Sequence, residues 1–112
     1  MTTDGLTITG NAPKIVIIRA IGPSLAQVGL QGVLQDPQLE LRNAAGGLLA
    51  SNDNWRSDQE KEIAATGIPP TNDLESALVE TLSANGAAYT AIVRGVNETT
   101  GVALVDVYVL TN

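Results

Sequence analysis

The sequence contains no cysteine and no histidine. Those two absences remove disulfides, thiolate nucleophiles, thiolate or imidazole zinc sites and any serine–histidine relay. Phenylalanine is missing as well, so Trp55, Tyr89 and Tyr108 are the whole aromatic complement. No run approaches the roughly 18 consecutive apolar residues of a membrane-spanning helix. Ile15 to Ile18 is the longest purely aliphatic stretch near the front, and Arg19 ends it. Basic residues are scarce: six Lys and Arg stand against twelve Asp and Glu, a net charge of −6. An acidic surface repels phosphate backbones and anionic lipid, which argues against nucleic-acid partners and membrane insertion. Met1 to Gly10 shows neither the basic start nor the apolar stretch of a secretory signal.

What remains is an aliphatic chain of 112 residues, 44% hydrophobic, enough for a single domain over 1–112. Its core must be built from Val, Ile, Leu and Ala, with β-branched residues gathered in short runs. The 11 glycines and 5 prolines fall between those runs, the spacing of an all-β domain with many turns. Leu6 to Thr9 alternates apolar and polar residues and reads as a strand. Lys14 to Ile21 is short for a helix, an apolar run rich in β-branched residues bounded by Pro13 and Gly22–Pro23, and reads as a central strand buried on both faces. Pro23 to Val28 suits one helical turn closed by Gly29. Gln38 to Asn43 points Leu39 and Leu41 inward, and Gly46–Gly47 turns it into Leu48–Ala50 as a hairpin.

Ser57-Asp58-Gln59-Glu60 fits a capping box, so a short helix is expected near 58–66, with Gly67 behind it and Pro69–Pro70 blocking continuation. Ser76 to Leu82 carries both signals: Leu74, Leu78 and Leu82 at helical spacing, and Leu78, Glu80 and Leu82 alternating as a strand. The Asn85–Gly86 pair decides for a strand and predicts a hairpin with Ala87 to Val96. Val102 to Leu110 closes the chain, Val105, Val107 and Val109 facing one way and Leu104, Asp106, Tyr108 and Leu110 the other. About seven to eight strands and one short helix point to an antiparallel β-sandwich, with barrel closure as the alternative.

Five phrases taken together resemble a known domain. They are 13-PKIVIIRAIGPSL-25, 34-LQDPQLEL-41, 50-ASNDNW-55, 88-AYTA-91 and 101-GVALVDVY-108. The pattern is similar to a repeat domain of large secreted or surface proteins of environmental bacteria, and spans about Gly5 to Val109. It is more distantly similar to bacterial pre-peptidase C-terminal domains. The resemblance implies a jelly-roll-like sandwich, a secreted or cell-surface location and an accessory role without assigned chemistry.

The polar loop Ser51 to Trp55 is the leading candidate site. Asn52, Asp53, Asn54 and Asp58 offer oxygen ligands to calcium, with Asp36 or Asp73 available to complete the shell. The competing and stronger reading is an Asx-turn whose side chains bond the local backbone while Trp55 plugs the end of the core. Trp55 also has two readings: a glycan platform, which would want more aromatics than this chain has, or a buried core residue, which is favoured. Arg19 ends the most apolar strand, and a bidentate pair with Asp106 or Glu40 is favoured over an anion clamp.

Catalysis finds little support. Ser24 has no neighbouring base in sequence, Lys14 and Lys61 sit in no nucleophile motif, and a glycosidase pair would need a groove this small domain lacks room for. Asn97-Glu98-Thr99 matches a glycosylation sequon by coincidence. Two function classes stand. One is a structural, self-associating or adhesive module that joins copies or neighbouring domains through an unpaired sheet edge, or through Thr2 to Gly10 added as a strand. The other is a carbohydrate- or peptide-binding accessory module of a secreted enzyme, with calcium as its cofactor.

Overall fold

A computed structural model describes residues 2–8, 12–84 and 86–110. The strands are β1 (Thr2–Ile8), β2 (Lys14–Ile21), β3 (Pro37–Asn43), β4 (Leu48–Asn52), β5 (Ser76–Leu82), β6 (Ala87–Gly95) and β7 (Leu104–Val109). One short helix, α1 (Glu60–Ala65), lies between β4 and β5, and brief 3-10 turns occupy Pro23–Val28, Trp55–Ser57 and Val96–Glu98. The chain is all-β, as its aliphatic runs and turn residues require. Two antiparallel sheets form, ordered β1-β6-β3-β4 and β5-β2-β7. No described helix is long and apolar enough to cross a membrane.

The period of two along each strand decides where the core sits. Val16, Ile18 and Ala20 of β2, Leu78 and Leu82 of β5, Leu39 and Leu41 of β3, and Tyr89, Ala91 and Val93 of β6 gather into one cluster between the sheets. The next residue of β2, Ile17, points the other way and is also fully buried. It packs with Ala77, Trp55 and Ile63, so the Trp55 turn and α1 cover the outer face of β2 and β5. This explains why β2 is apolar at consecutive positions: it needs two faces for burial, each large side chain contributing about 2 kcal/mol.

Gly22, just after β2, is required by close approach. A β-carbon there would lie 2.1 Å from the Leu34 carbonyl oxygen. At the end of α1, the Gly67 N–H donates to the Ala64 carbonyl, and its φ of +79° turns the following chain out of the helix, as its position predicts.

Three local expectations are corrected. First, β5 and β6 form no hairpin. β5 pairs with β2, whereas β6 lies between β1 and β3, so the link between them crosses from one sheet to the other. Both strands turn apolar residues to the same core from opposite sides, which a flat hairpin would not allow. Asn85 of the expected turn lies outside the described residues. Second, the capping box does not form. The helix begins after Gln59, without a side-chain cap. Ser57 instead donates its hydroxyl to the Asn54 carbonyl at 2.7 Å. Third, the first strand is longer than the alternation of Leu6 to Thr9 suggests: Thr2–Ile8 pairs antiparallel with β6. Thr9 and Gly10 of the segment expected to add to a neighbour are outside the described residues. The described part is an edge strand of its own sheet.

Candidate functional site

The loop leaving β4 is organised by Asn52, which is buried at its end. Its Oδ1 accepts the N–H of Ala77 at 3.1 Å and that of Asn54 at 3.4 Å, and its Nδ2 donates to the Asn54 carbonyl at 3.1 Å. These bonds tie the turn to itself and to β5. They occupy Asn52 with backbone partners, as an Asx-turn does. Trp55 follows, 3% exposed, its backbone N–H donating to the Glu75 carbonyl at 2.8 Å while the indole N–H is buried without a partner. The Arg56 guanidinium lies 4.2 Å from the ring centroid. The indole is thus a core plug with a cation on it, and it presents no open platform for a sugar ring.

The acidic residues proposed for calcium do not all converge. Asp58 lies near Glu80, and burial, with the Asp58 charge beside it, raises the Glu80 carboxyl above the usual range. Asp73 is taken by Arg56, Nε to Oδ1 at 2.7 Å. Asp53, by contrast, meets Asp36. Burial and the neighbouring Asp36 carboxylate push the Asp53 carboxyl upward, the physics of two acids in one partly dry place. Asp36 Oδ1, Asp53 Oδ1 and Asn54 Oδ1 are all buried without a hydrogen-bond partner. The meeting of Asp36 and Asp53 is a carboxyl pair that can share a proton or accept a hard cation. Among the described residues, no group of three or more acidic side chains is placed to hold a metal.

Arg19 finds one of its two expected partners. Its Nε and Nη2 form a fork with Asp106 at 2.9 and 2.6 Å, while Nη1 donates to the Ile68 carbonyl at 3.2 Å. Asp106, through hydrogen bonding, holds the guanidinium above its ordinary value. The Tyr108 ring lies 5.2 Å from the guanidinium carbon.

Sequence reasoning missed Glu75. It is fully buried, and accepts from Gly22 N–H (2.9 Å), Ser24 N–H (2.8 Å), the Ser24 hydroxyl (2.7 Å) and Asn72 N–H (3.2 Å). A carboxylate thus contacts Ser24, but its lone pairs are committed to holding two loops together. The available signal was an acid entering an apolar strand with no basic residue beside it, which must find N–H donors elsewhere.

Pockets open on the surface of the described residues. One of about 380 Å³ is lined by Leu41, Leu49, Glu80 and Tyr89 among others. A second of about 230 Å³ lies beside Arg94 and Glu98. Neither brings two carboxylates face to face.

The two edges of the three-stranded sheet differ. On the outer edge of β5, Asn52 caps the Ala77 N–H, and the Gln59 side chain pairs twice with Val79, Oε1 accepting its N–H at 2.9 Å and Nε2 donating to its carbonyl at 2.8 Å. That edge is sealed by side chains standing in for a strand. On β7, the Leu110 N–H donates to the Ile15 carbonyl at 2.7 Å. Alternation of the ladder then turns the backbone of Leu104, Asp106 and Tyr108 toward β2 and that of Val105, Val107 and Val109 outward. Among the described residues, nothing caps those outward groups. Leu104, Tyr108, Val109 and Leu110 are exposed along this strand. Its one charge, Asp106, is already paired with Arg19.

Comparison with family models, with curated proteins and with solved structures finds no match for this chain.

Proposed function

We propose that this chain is a non-catalytic structural module, a jelly-roll-like sandwich of a secreted or surface protein, that associates with copies of itself or neighbouring domains by β-strand addition. The observation that carries this reading is the contrast between the sheet edges. β5 is stoppered by Asn52 and Gln59, while β7 offers uncapped backbone groups flanked by exposed Leu104, Tyr108, Val109 and Leu110. An exposed apolar edge strand is a template for another strand, and edges that must stay single usually carry lysine, proline or a bulge. β7 has none of these. Light scattering over a concentration series tests the reading: mass rising with concentration is expected, and a strictly monomeric species at millimolar protein overturns it.

A second reading, an accessory carbohydrate- or peptide-binding module that uses calcium, is favoured by one observation, the unpartnered oxygens of Asp36, Asp53 and Asn54. Those three residues would hold the ion. Melting curves in millimolar calcium and in excess chelator test it. A higher midpoint with calcium, lost in Asp53→Asn, is expected on this reading, and equal midpoints overturn it.

A further inference from the structure

Building on the self-association reading above, we infer that β7 pairs antiparallel with β7 of a second copy about a two-fold axis through Val107, joining two three-stranded sheets into one of six strands.

Outward-facing N–H and C=O groups belong to Val105, Val107 and Val109, so a pairing strand must set these residues opposite one another. For two identical antiparallel strands, two registers overlap β7 most fully. One is centred on Asp106 and the other on Val107. Centring on Asp106 puts the two Asp106 carboxylates directly opposite each other, a destabilising like-charge pair on an acidic protein. Centring on Val107 pairs Val105 with Val109 of the second copy and Val107 with itself.

On the solvent-facing side, the Val107 register sets Leu104 opposite the second copy's Leu110, and Asp106 opposite its Tyr108. Since β2 supplies Ile21 beside Leu104, Arg19 beside Asp106 and Ile15 beside Leu110, two kinds of row then cross the joined sheet. One is wholly aliphatic: Ile21, Leu104, Leu110, Ile15. The other runs Arg19, Asp106, Tyr108, Ile17, with the ion pair of one copy ending on the aromatic ring of the other. Each row occurs twice by symmetry. Leu104, Val109 and Leu110 each gain an aliphatic neighbour, Tyr108 meets an Asp106 already paired with its own Arg19, and no like charges meet. An isologous contact of this kind is self-complementary. A slip of one residue along either copy would turn inward-facing backbone toward the partner, which the ladder with β2 forbids.

The chain has no cysteine, so introduced thiols report alone. Leu104→Cys/Leu110→Cys is the test. Within one strand those positions are roughly 20 Å apart and cannot bridge. In the Val107 register they face each other across the dimer. Mild oxidation of the double variant is expected to give a covalent dimer carrying two disulfides, at several times the yield of either single variant. As a second measurement, Tyr108→Asp, an exposed position, sets carboxylates opposite each other twice per interface. It is expected to weaken dimerisation at least tenfold, whereas Tyr108→Phe leaves it within about twofold. If the wild-type chain self-associates but the double variant crosslinks no better than the single ones, the register is wrong and self-association survives. If the wild-type chain stays monomeric at millimolar concentration, both fall together.

Discussion

A half-buried arginine must be matched atom for atom, and Arg19 is: two nitrogens to Asp106, one to a carbonyl, and the guanidinium near the Tyr108 ring. Removing one partner leaves the other partly dehydrated and unpaired. Arg19→Met is expected to cost about 2 kcal/mol in urea unfolding, and Arg19→Met/Asp106→Leu to recover part of that loss, since an apolar pair leaves no stranded charge. The pairing was half legible in sequence. An arginine ending an apolar strand needs an acid at an outward position of another strand, and Asp106 and Glu40 both qualify. Only the neighbouring ladder of β7 on β2 chooses Asp106.

Acid pairs at this scale carry a pH signature. Glu80 holds its proton more tightly when folded, because of burial and the nearby Asp58 charge. A carboxyl raised on folding lends stability below its unfolded value, and that contribution is lost as pH rises through the folded one. Glu80→Gln is therefore expected to melt higher than wild type at pH 7, with the difference shrinking toward pH 4. Equal midpoints at pH 7 would contradict this. Asp53 shifts in the same direction through burial and through Asp36. Their meeting was only partly readable: Asp36 was one of two acids that sequence could offer, and tertiary folding sends the other, Asp73, to Arg56.

Among the elements, β2 was the most legible, since eight residues with six aliphatic ones, four of them consecutive, leave little choice but a strand covered on both sides. The β3–β4 hairpin was legible for the same local reason, alternation interrupted by glycine. The errors came where a local signal met a non-local competitor. Asn85–Gly86 resembles a hairpin turn, yet β6 is better satisfied with ladders on both sides than with one to β5. The capping box fails because Ser57 and Glu60 have other partners, the Asn54 carbonyl and the Arg56 guanidinium, and Gln59 has its own in Val79. Gln59 serves the strand edge in place of the helix end. Gln59→Ala is expected to cost about 1 kcal/mol for two lost hydrogen bonds at a half-buried site, and to speed aggregation followed by light scattering. An unchanged aggregation rate would mean that α1 alone protects that edge.

For the molecule as a whole, charge opposes the contact that the edge favours. Two copies carrying −6 each repel at long range, and salt screens that repulsion within about a Debye length of 10 Å at 0.1 M. Raising NaCl from 20 to 300 mM is thus expected to strengthen self-association, read as an increase in average mass at fixed protein concentration. Weakening by salt would instead indicate an interface held by opposite charges.

The asymmetry of the three-stranded sheet also sets how large an assembly can become through it. A ribbon with one live margin is a chain terminator: once two such margins meet, none is left, and growth halts at a pair. Gln59 and Asn52 then act as the stopper that separates a finite particle from an endless fibre. Loss of those two amides would give this sheet a second growing end.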